Sequence, residues 1–141
     1  MADIQSLKQA LSVSPENLPI LLMLGHAYLE EFQFDEARET FEKALQLQPG
    51  NPVARTEMAQ ILELEGKSSE AVLRLEQLLG EHPEHAPAWV LKAKILLNES
   101  DGKGARQAYN RALEMDASLA DDSLLKRIRE AGGRQAGSGI A

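Results

Sequence analysis

The residues best suited to chemistry surround Pro83 in a short turn. His82 and His85 are three positions apart, and Glu81 and Glu84 each precede one of them. Two imidazoles and a carboxylate at this spacing are ligands that a divalent metal accepts. A solvated acidic turn explains the same residues, so we predict no metal site here.

The remaining candidates for a catalytic or nucleotide site are weaker. Residues 102–104 read Gly-Lys-Gly, but the strand and phosphate loop that a nucleotide site requires are missing. Carboxylate pairs such as Glu30-Glu31 and Asp35-Glu36 are most simply charges that keep helix surfaces soluble. The chain has no cysteine, which excludes disulfides, thiolate chemistry and Cys-ligated metals. We therefore predict that the protein is not an enzyme and needs no cofactor.

The charge of the chain argues against nucleic acid as a partner. Its 141 residues include 22 acids and 15 bases, and the net charge is −7. Residues 1–70 hold 12 acids and 5 bases, whereas residues 71–141 hold 10 of each. Phosphate binding needs clustered cations, which this balance does not favour. A charge-reading partner would meet an acidic N-terminal half, and two solvated helical surfaces are the simpler alternative.

No segment is long and apolar enough to span a membrane. The longest apolar stretch, Leu18 to Leu24, is short and is interrupted by Pro19. The first residues carry neither the basic region nor the apolar core of a signal peptide. We expect no membrane partner and a cytoplasmic location.

Side chains of similar type recur every 34 residues. The low aromatic content of 4% fits helices packed through Leu and Ala. Six columns keep this step: Pro15, Pro49 and Pro83; Leu11, Leu45, Leu79 and Leu113; Ala10, Ala44, Leu78 and Ala112; Leu7, Phe41, Leu75 and Tyr109; Ala37, Ala71 and Ala105; Tyr28, Leu62 and Leu96. Small residues at one column and bulky ones at another predict helices that cross closely.

This period and these residue types resemble the tetratricopeptide repeat, a helix–turn–helix unit. Residues 18–51 match its pattern best, through Leu24-Gly25, Tyr28, Ala37 and Phe41 among others. The resemblance implies an all-α, right-handed superhelix of antiparallel helix pairs. We divide a domain of residues 1–131 and a flexible tail as follows: half repeat 2–17, repeats 18–51, 52–85 and 86–119, capping helix 119–131, and tail 132–141.

Helix boundaries follow from caps and turns. Asn51 before Pro52, Asp101 and Ser118 are expected N-caps, and Gly66 and Gly102 are expected turn residues. The expected helices are 2–13, 17–31, 35–48, 52–65, 69–80, 86–98, 102–115 and 119–131.

The resemblance also implies where a partner binds, because first helices of stacked repeats line a concave groove. By register that groove should present an apolar surface with sparse polar markers. The expected groove residues are Leu22, His26, Leu29, Thr56, Gln60, Glu63, Val90, Lys94, Leu97 and Asn98. The alternative is that the terminal helix or neighbouring repeats cover several of the apolar ones.

Chaperone-binding members of the family grip a C-terminal carboxylate with Lys, Asn and Arg residues in this groove. The matching positions here are Leu22, His26, Gln60, Val90 and Lys94, of which only Lys94 is suited to the role and Gln60 is a weak stand-in for Asn. A carboxylate would lose charge-assisted hydrogen bonds of roughly 1.5–3 kcal/mol each. The sequence therefore argues against a heat-shock co-chaperone.

The leading hypothesis is a non-catalytic adaptor that binds a peptide segment of a protein partner in an apolar concave groove. One alternative is a self-assembly module that forms homo-oligomers through its terminal helices. Another is a regulatory repeat segment of a larger multidomain enzyme, which the incomplete first repeat and the linker-like tail would fit.

Overall fold

The computed structural model describes the backbone of residues 3–138 and the side chains of residues 3–133. Within that range it contains α-helices, one short 3₁₀ turn at Ala117–Leu119, and no strand. The helices are α1 (Ile4–Val13), α2 (Leu18–Glu30), α3 (Phe34–Leu47), α4 (Pro52–Leu64), α5 (Ser68–Glu81), α6 (Ala86–Asn98), α7 (Gly102–Met115) and α8 (Asp122–Ser138). The predicted all-α class is confirmed.

The chain divides into two compact units, Met1–Lys67 and Ser68–Ala141. In the first unit α2 packs on α3, α1 packs on α2, and α4 contacts both α2 and α3. In the second unit α6 packs on α7, α5 packs on α6, and α8 contacts both α6 and α7. The division separates the two helices of the predicted repeat 52–85, and the repeat and domain boundaries stay predictions.

Buried side chains follow the 34-residue columns. In the small-residue column, Ala37, Ala71 and Ala105 are all 0% exposed. Phe41 and Leu75, from the bulky column, are also fully buried. The periodicity therefore identified core positions correctly in both units.

Three short turns inside helix pairs share one conformation. Phe32, Gly66 and Ser100 have φ of 59°, 82° and 66°, and they too are 34 residues apart. After each of them a backbone N–H reaches back to a carbonyl near the end of the preceding helix, for example Gln33 to Tyr28 at 2.9 Å. This is the left-handed residue that commonly ends a helix. Gly66 is thus a turn residue as predicted.

Helix N-termini are capped by Asn and Asp. The Asn51 side chain accepts the N–H of Ala54 at 2.9 Å, and that of Asp101 accepts the N–H of Gly104 at 2.8 Å, as predicted. The prediction that Ser118 caps the last helix is wrong. Asp121 takes that position and accepts the N–H of Leu124 at 3.0 Å, because Ala117–Leu119 forms a separate 3₁₀ turn.

The last helix also extends beyond its expected end. α8 runs to Ser138, whereas the pattern predicted an end at 131. Gly102 is the first residue of α7 and is buried, which differs from its predicted place in a turn. A β-carbon on Gly102 would lie 3.0 Å from the Ala131 β-carbon and 3.3 Å from the Gly132 nitrogen, so the two helices approach closely here. Of the predicted tail, residues 139–141 lie outside the described range.

Candidate functional site

In the first unit, the expected partner-binding surface begins on α2. Leu22 and His26 are four residues apart and therefore lie on one face of this helix. Leu22 is half-buried against the core, and the His26 side chain is 53% exposed. Leu29 lies one turn further, but it is only 4% exposed and belongs to the core. The expectation that Leu29 lines an open groove is therefore wrong for the folded unit.

His26 lies between two carboxylates. Its Nε2 is 2.9 Å from a carboxylate oxygen of Glu30, one turn later on α2. Its Nδ1 is 3.2 Å from a carboxylate oxygen of Glu57 on α4. The imidazole thus joins the two helices of this surface, and the neighbouring charges are negative.

These contacts change the protonation of His26. Partial burial by itself acts to lower the pKa of the imidazole, but Glu57 and Glu30 favour its protonated form. The carboxylates outweigh the burial, and the pKa of His26 is raised above its ordinary value of 6.5. A protonated His26 neutralises part of the acidic charge on this face.

Helix α4 contributes less surface than expected. Thr56 is 8% exposed, and its hydroxyl donates to the Pro52 carbonyl at 2.8 Å, so its side chain faces its own helix. Its predicted place in an open groove is not supported. Gln60 and Glu63 are half-buried. The sequence did not single out Glu57, because nothing in the local pattern connects it with His26, 31 residues earlier.

In the second unit, α8 covers part of the predicted surface on α6. Val90 and Leu97 are half-buried and pack against a cluster that contains Leu124 and Ile128 of α8. Arg127 of α8 donates to the Asn98 side-chain oxygen at 3.0 Å. Lys94 is exposed on the same helix. The alternative that a terminal helix covers apolar groove residues therefore applies to Val90 and Leu97.

The histidine turn shows a different environment. His82 Nδ1 is 3.5 Å from a Glu84 carboxylate oxygen. Burial and the neighbouring His82 lower the pKa of His85, and Glu84 offsets them only in part. Among residues 3–133, no group of three or more His, Asp or Glu side chains is arranged to hold a metal ion.

Two large apolar side chains are exposed in the first unit although the sequence did not single them out. Met23 on α2 is 51% exposed and Phe32 in the following turn is 72% exposed. The helical part of the chain described here also includes no helix long and apolar enough to cross a membrane.

The fold resembles solved repeat domains. The domain from Aspergillus fumigatus Sgt2 superposes with a TM-score of 0.74 at 19% identity, covering 88% of this chain and 82% of that one. The first repeat domain of Spaghetti (RPAP3), solved with the HSP90 peptide SRMEEVD, gives 0.70 at 19% identity, covering 84% and 93%. At this identity the likeness concerns the fold alone.

A sequence relative is the protein O-mannosyl-transferase TMTC3 of Homo sapiens, which is 33% identical over 96 residues. The match covers 67% of this chain and 10% of that protein. The first three curated relatives are all much longer, since the chain spans only 6% to 30% of their length. Two tetratricopeptide repeat profiles match residues 28–78 and 56–120. The chain therefore belongs to the tetratricopeptide repeat family.

Proposed function

We propose that the protein is a non-catalytic adaptor that binds an apolar segment of a protein partner. The contact surface in the first unit is the face of α2 that carries Leu22 and His26, together with Gln60 and Glu63 of α4. In the second unit Lys94 and the accessible parts of Val90 and Leu97 on α6 contribute contacts. Leu29 and Thr56 support the surface from within, because both are buried.

The observation that carries the proposal is the pairing of Leu22 with a neutralised polar neighbour. Leu22 is half-buried and leaves part of its apolar surface accessible. His26, one turn later, contacts the carboxylates of Glu30 and Glu57. This surface offers apolar area and a partly compensated charge. An apolar segment gains from such a surface, since burying one Leu contributes about 1.5–3 kcal/mol.

The same geometry disfavours a terminal carboxylate as the ligand. Spaghetti (RPAP3) was solved with the HSP90 peptide SRMEEVD, and sgt12 of Aspergillus fumigatus is a heat-shock cognate co-chaperone, so the family includes proteins of this kind. In this chain an incoming carboxylate near His26 would meet Glu30 and Glu57. Like charges at short range repel one another, and His26 already serves both carboxylates.

The transferase relative suggests how such a module is used. The part of TMTC3 that matches is a tenth of that protein, so its enzymatic name does not extend to this chain. A repeat segment attached to a larger protein is compatible with the adaptor role, because the segment would supply binding and no chemistry. A cytoplasmic location stays a prediction.

The proposal is tested with two ligands of opposite chemistry. The purified chain is titrated with the SRMEEVD peptide and with apolar peptides selected by phage display on the immobilised chain. We expect the selected peptides to bind with little dependence on salt, since apolar burial is not screened. SRMEEVD should bind at least about tenfold more weakly than the best selected peptide.

Matched variants locate the contact. Leu22→Asp should weaken binding of the selected peptide about tenfold to a hundredfold. Leu73→Asp is the control, because Leu73 is 55% exposed on α5 and lies outside the proposed surface. Circular dichroism and thermal melts establish that both variants stay folded. Equal affinity of Leu22→Asp and the parent chain would contradict the proposal, and tight binding of SRMEEVD would replace the ligand class.

The self-assembly alternative predicts a different result. Light scattering on the unliganded chain would then show a dimer or larger species. If it does, and no selected peptide competes with it, the adaptor role is wrong.

A further inference from the structure

Phe32 occupies a backbone position that suits glycine. The equivalent residues in the other two turns are Gly66 and Ser100, and all three have positive φ. A side chain in this region brings its β-carbon close to the backbone, and a bulky one is a genuine outlier. Phe32 therefore adopts a strained conformation that glycine at the same place avoids.

Burial in its own unit does not offset this strain. The Phe32 residue is 72% exposed. Its ring makes an edge contact with Phe34, with ring centroids 6.2 Å apart and planes at 80°. An aromatic ring that is both strained and largely exposed suggests selection for something other than stability.

The charge around Phe32 is strongly negative. Glu30, Glu31, Asp35 and Glu36 lie within four positions of it in the chain. The nearest base, Arg38, is already shared by Asp35 at 3.1 Å and by Glu65 at the end of α4. Five carboxylates thus accompany one guanidinium at this end of the α2–α3 pair.

We propose that Phe32 anchors a second docking surface, which binds an arginine-containing apolar segment of a partner protein. The surface comprises Phe32, Phe34, Glu31 and Asp35, and it lies at the turn between α2 and α3. The partner's guanidinium stacks on the Phe32 ring, and its N–H groups donate to the neighbouring carboxylates. An apolar side chain of the same segment covers the rest of the ring. Charge complementarity selects this occupant, since an acidic segment would be repelled.

The experiment measures the affinity of the full chain for short fluorescent peptides of defined composition. One peptide alternates Arg, Leu and Ser, and two others have Lys or Glu in place of every Arg. We expect the Arg peptide to bind, the Lys peptide to bind more weakly, and the Glu peptide not to bind. Raising the salt from a low level to about 0.15 M should weaken the Arg peptide, because exposed charges are screened.

Two glycine substitutions separate binding from strain. Phe32→Gly removes the ring and the strain together, and Ser100→Gly relieves the same backbone position in another turn. Phe32→Gly should lose at least about fivefold in affinity for the Arg peptide, while Ser100→Gly should keep it. The melting temperature of both should be unchanged or higher by about 2–4 °C. Leu22→Asp should also keep the affinity, since it alters the other surface.

Several outcomes would overturn the proposal. Equal affinity of Phe32→Gly and the parent chain shows that the ring is not the anchor. A marked drop in the melting temperature of Phe32→Gly shows that the ring serves the fold. Self-association that Phe32→Gly abolishes, without binding of the Arg peptide, makes the occupant a second copy of the chain.

Discussion

The ring of Phe41 occupies the space that a side chain on Gly25 would need. A β-carbon on Gly25 would lie 2.6 Å from two carbons of that ring, well inside contact distance. Gly25 is in α2 and Phe41 is fully buried in α3, so this contact fixes how closely the two helices approach. Glycine lowers helix propensity by about 1 kcal/mol relative to alanine, and the packing of Phe41 is what this cost supports.

Gly25→Ala should destabilise the protein by about 1–3 kcal/mol, because overpacking the crossing outweighs the gain in helix propensity. Chemical denaturation measures the free energy of unfolding. Gly80→Ala is the matched control: Gly80 is also helical, and nothing lies within 4 Å of its β-carbon position. That variant should be stabilised by up to about 1 kcal/mol. If both variants were stabilised equally, the close crossing of α2 and α3 would be wrong.

The pKa of His26 should fall when Glu57 is replaced by Gln. Partial burial opposes protonation of His26, and Glu57 is the main group that counteracts it. An NMR titration of the imidazole signals gives the pKa directly. His85 is an internal reference, because its pKa is lowered by burial and it should not respond to Glu57→Gln. A His26 pKa that is the same in both proteins would contradict the contact at 3.2 Å.

The same shift makes stability depend on pH in a defined direction. The folded state holds a proton on His26 more firmly than the unfolded chain, whose histidine titrates near 6.5. The stabilisation is therefore complete below about pH 6.5 and is lost as the pH rises through the folded-state pKa. Urea unfolding at pH values on either side of this window should show the loss, and His26→Gln should remove that contribution.

The hydroxyl of Tyr109 should contribute measurably to stability. Tyr109 is 2% exposed in α7, and its oxygen accepts the N–H of Asp121 at 2.9 Å. Asp121 in turn caps α8, so the hydroxyl positions the start of that helix. Tyr109→Phe keeps the ring and should cost about 0.5–1.5 kcal/mol in the free energy of unfolding. Tyr28→Phe is a control on a buried tyrosine of the other unit, and an equal loss in both would show no special role for this hydroxyl.

Local patterns predicted most of the fold. The columns of small and bulky residues were sufficient because burial repeats with the chain, and most helix ends lie within one or two residues of the expected positions. The start of α8 was missed because it depends on the Tyr109 hydroxyl, a contact over 12 residues. Lys92 stands where the repeat favours Leu, and its ammonium lies 5.4 Å from the Trp89 ring centroid, which accommodates the charge.

The binding surface was predicted less well than the fold. Helix α2 is apolar on most sides, so its periodicity does not separate an outward Leu22 from a buried Leu29. Thr56 is polar, which suggested exposure, but its hydroxyl is satisfied by its own helix. Which apolar residues α8 covers depends on the position of a helix that begins 25 residues after Leu97, and no local signal encodes that contact.

The contact of Gly102 with α8 should tolerate no large side chain. The gap to Ala131 and Gly132 is already tight at 3.0–3.3 Å. Gly102→Leu should push the two helices apart and destabilise the second unit by about 1–3 kcal/mol. Hydrogen exchange should then be faster at the amides of α8 around Ile128, whereas the amides of α2 and α3 should keep their protection.

The neighbouring residue gives the control for this substitution. Lys103 is exposed in the first turn of α7, so Lys103→Leu adds the same side chain without meeting α8. Its free energy of unfolding should stay within about 0.5 kcal/mol of the parent chain. If Gly102→Leu and Lys103→Leu gave the same small effect, Ala131 and Gly132 would not pack on α7. The helix would then end near residue 131, as the sequence pattern suggested.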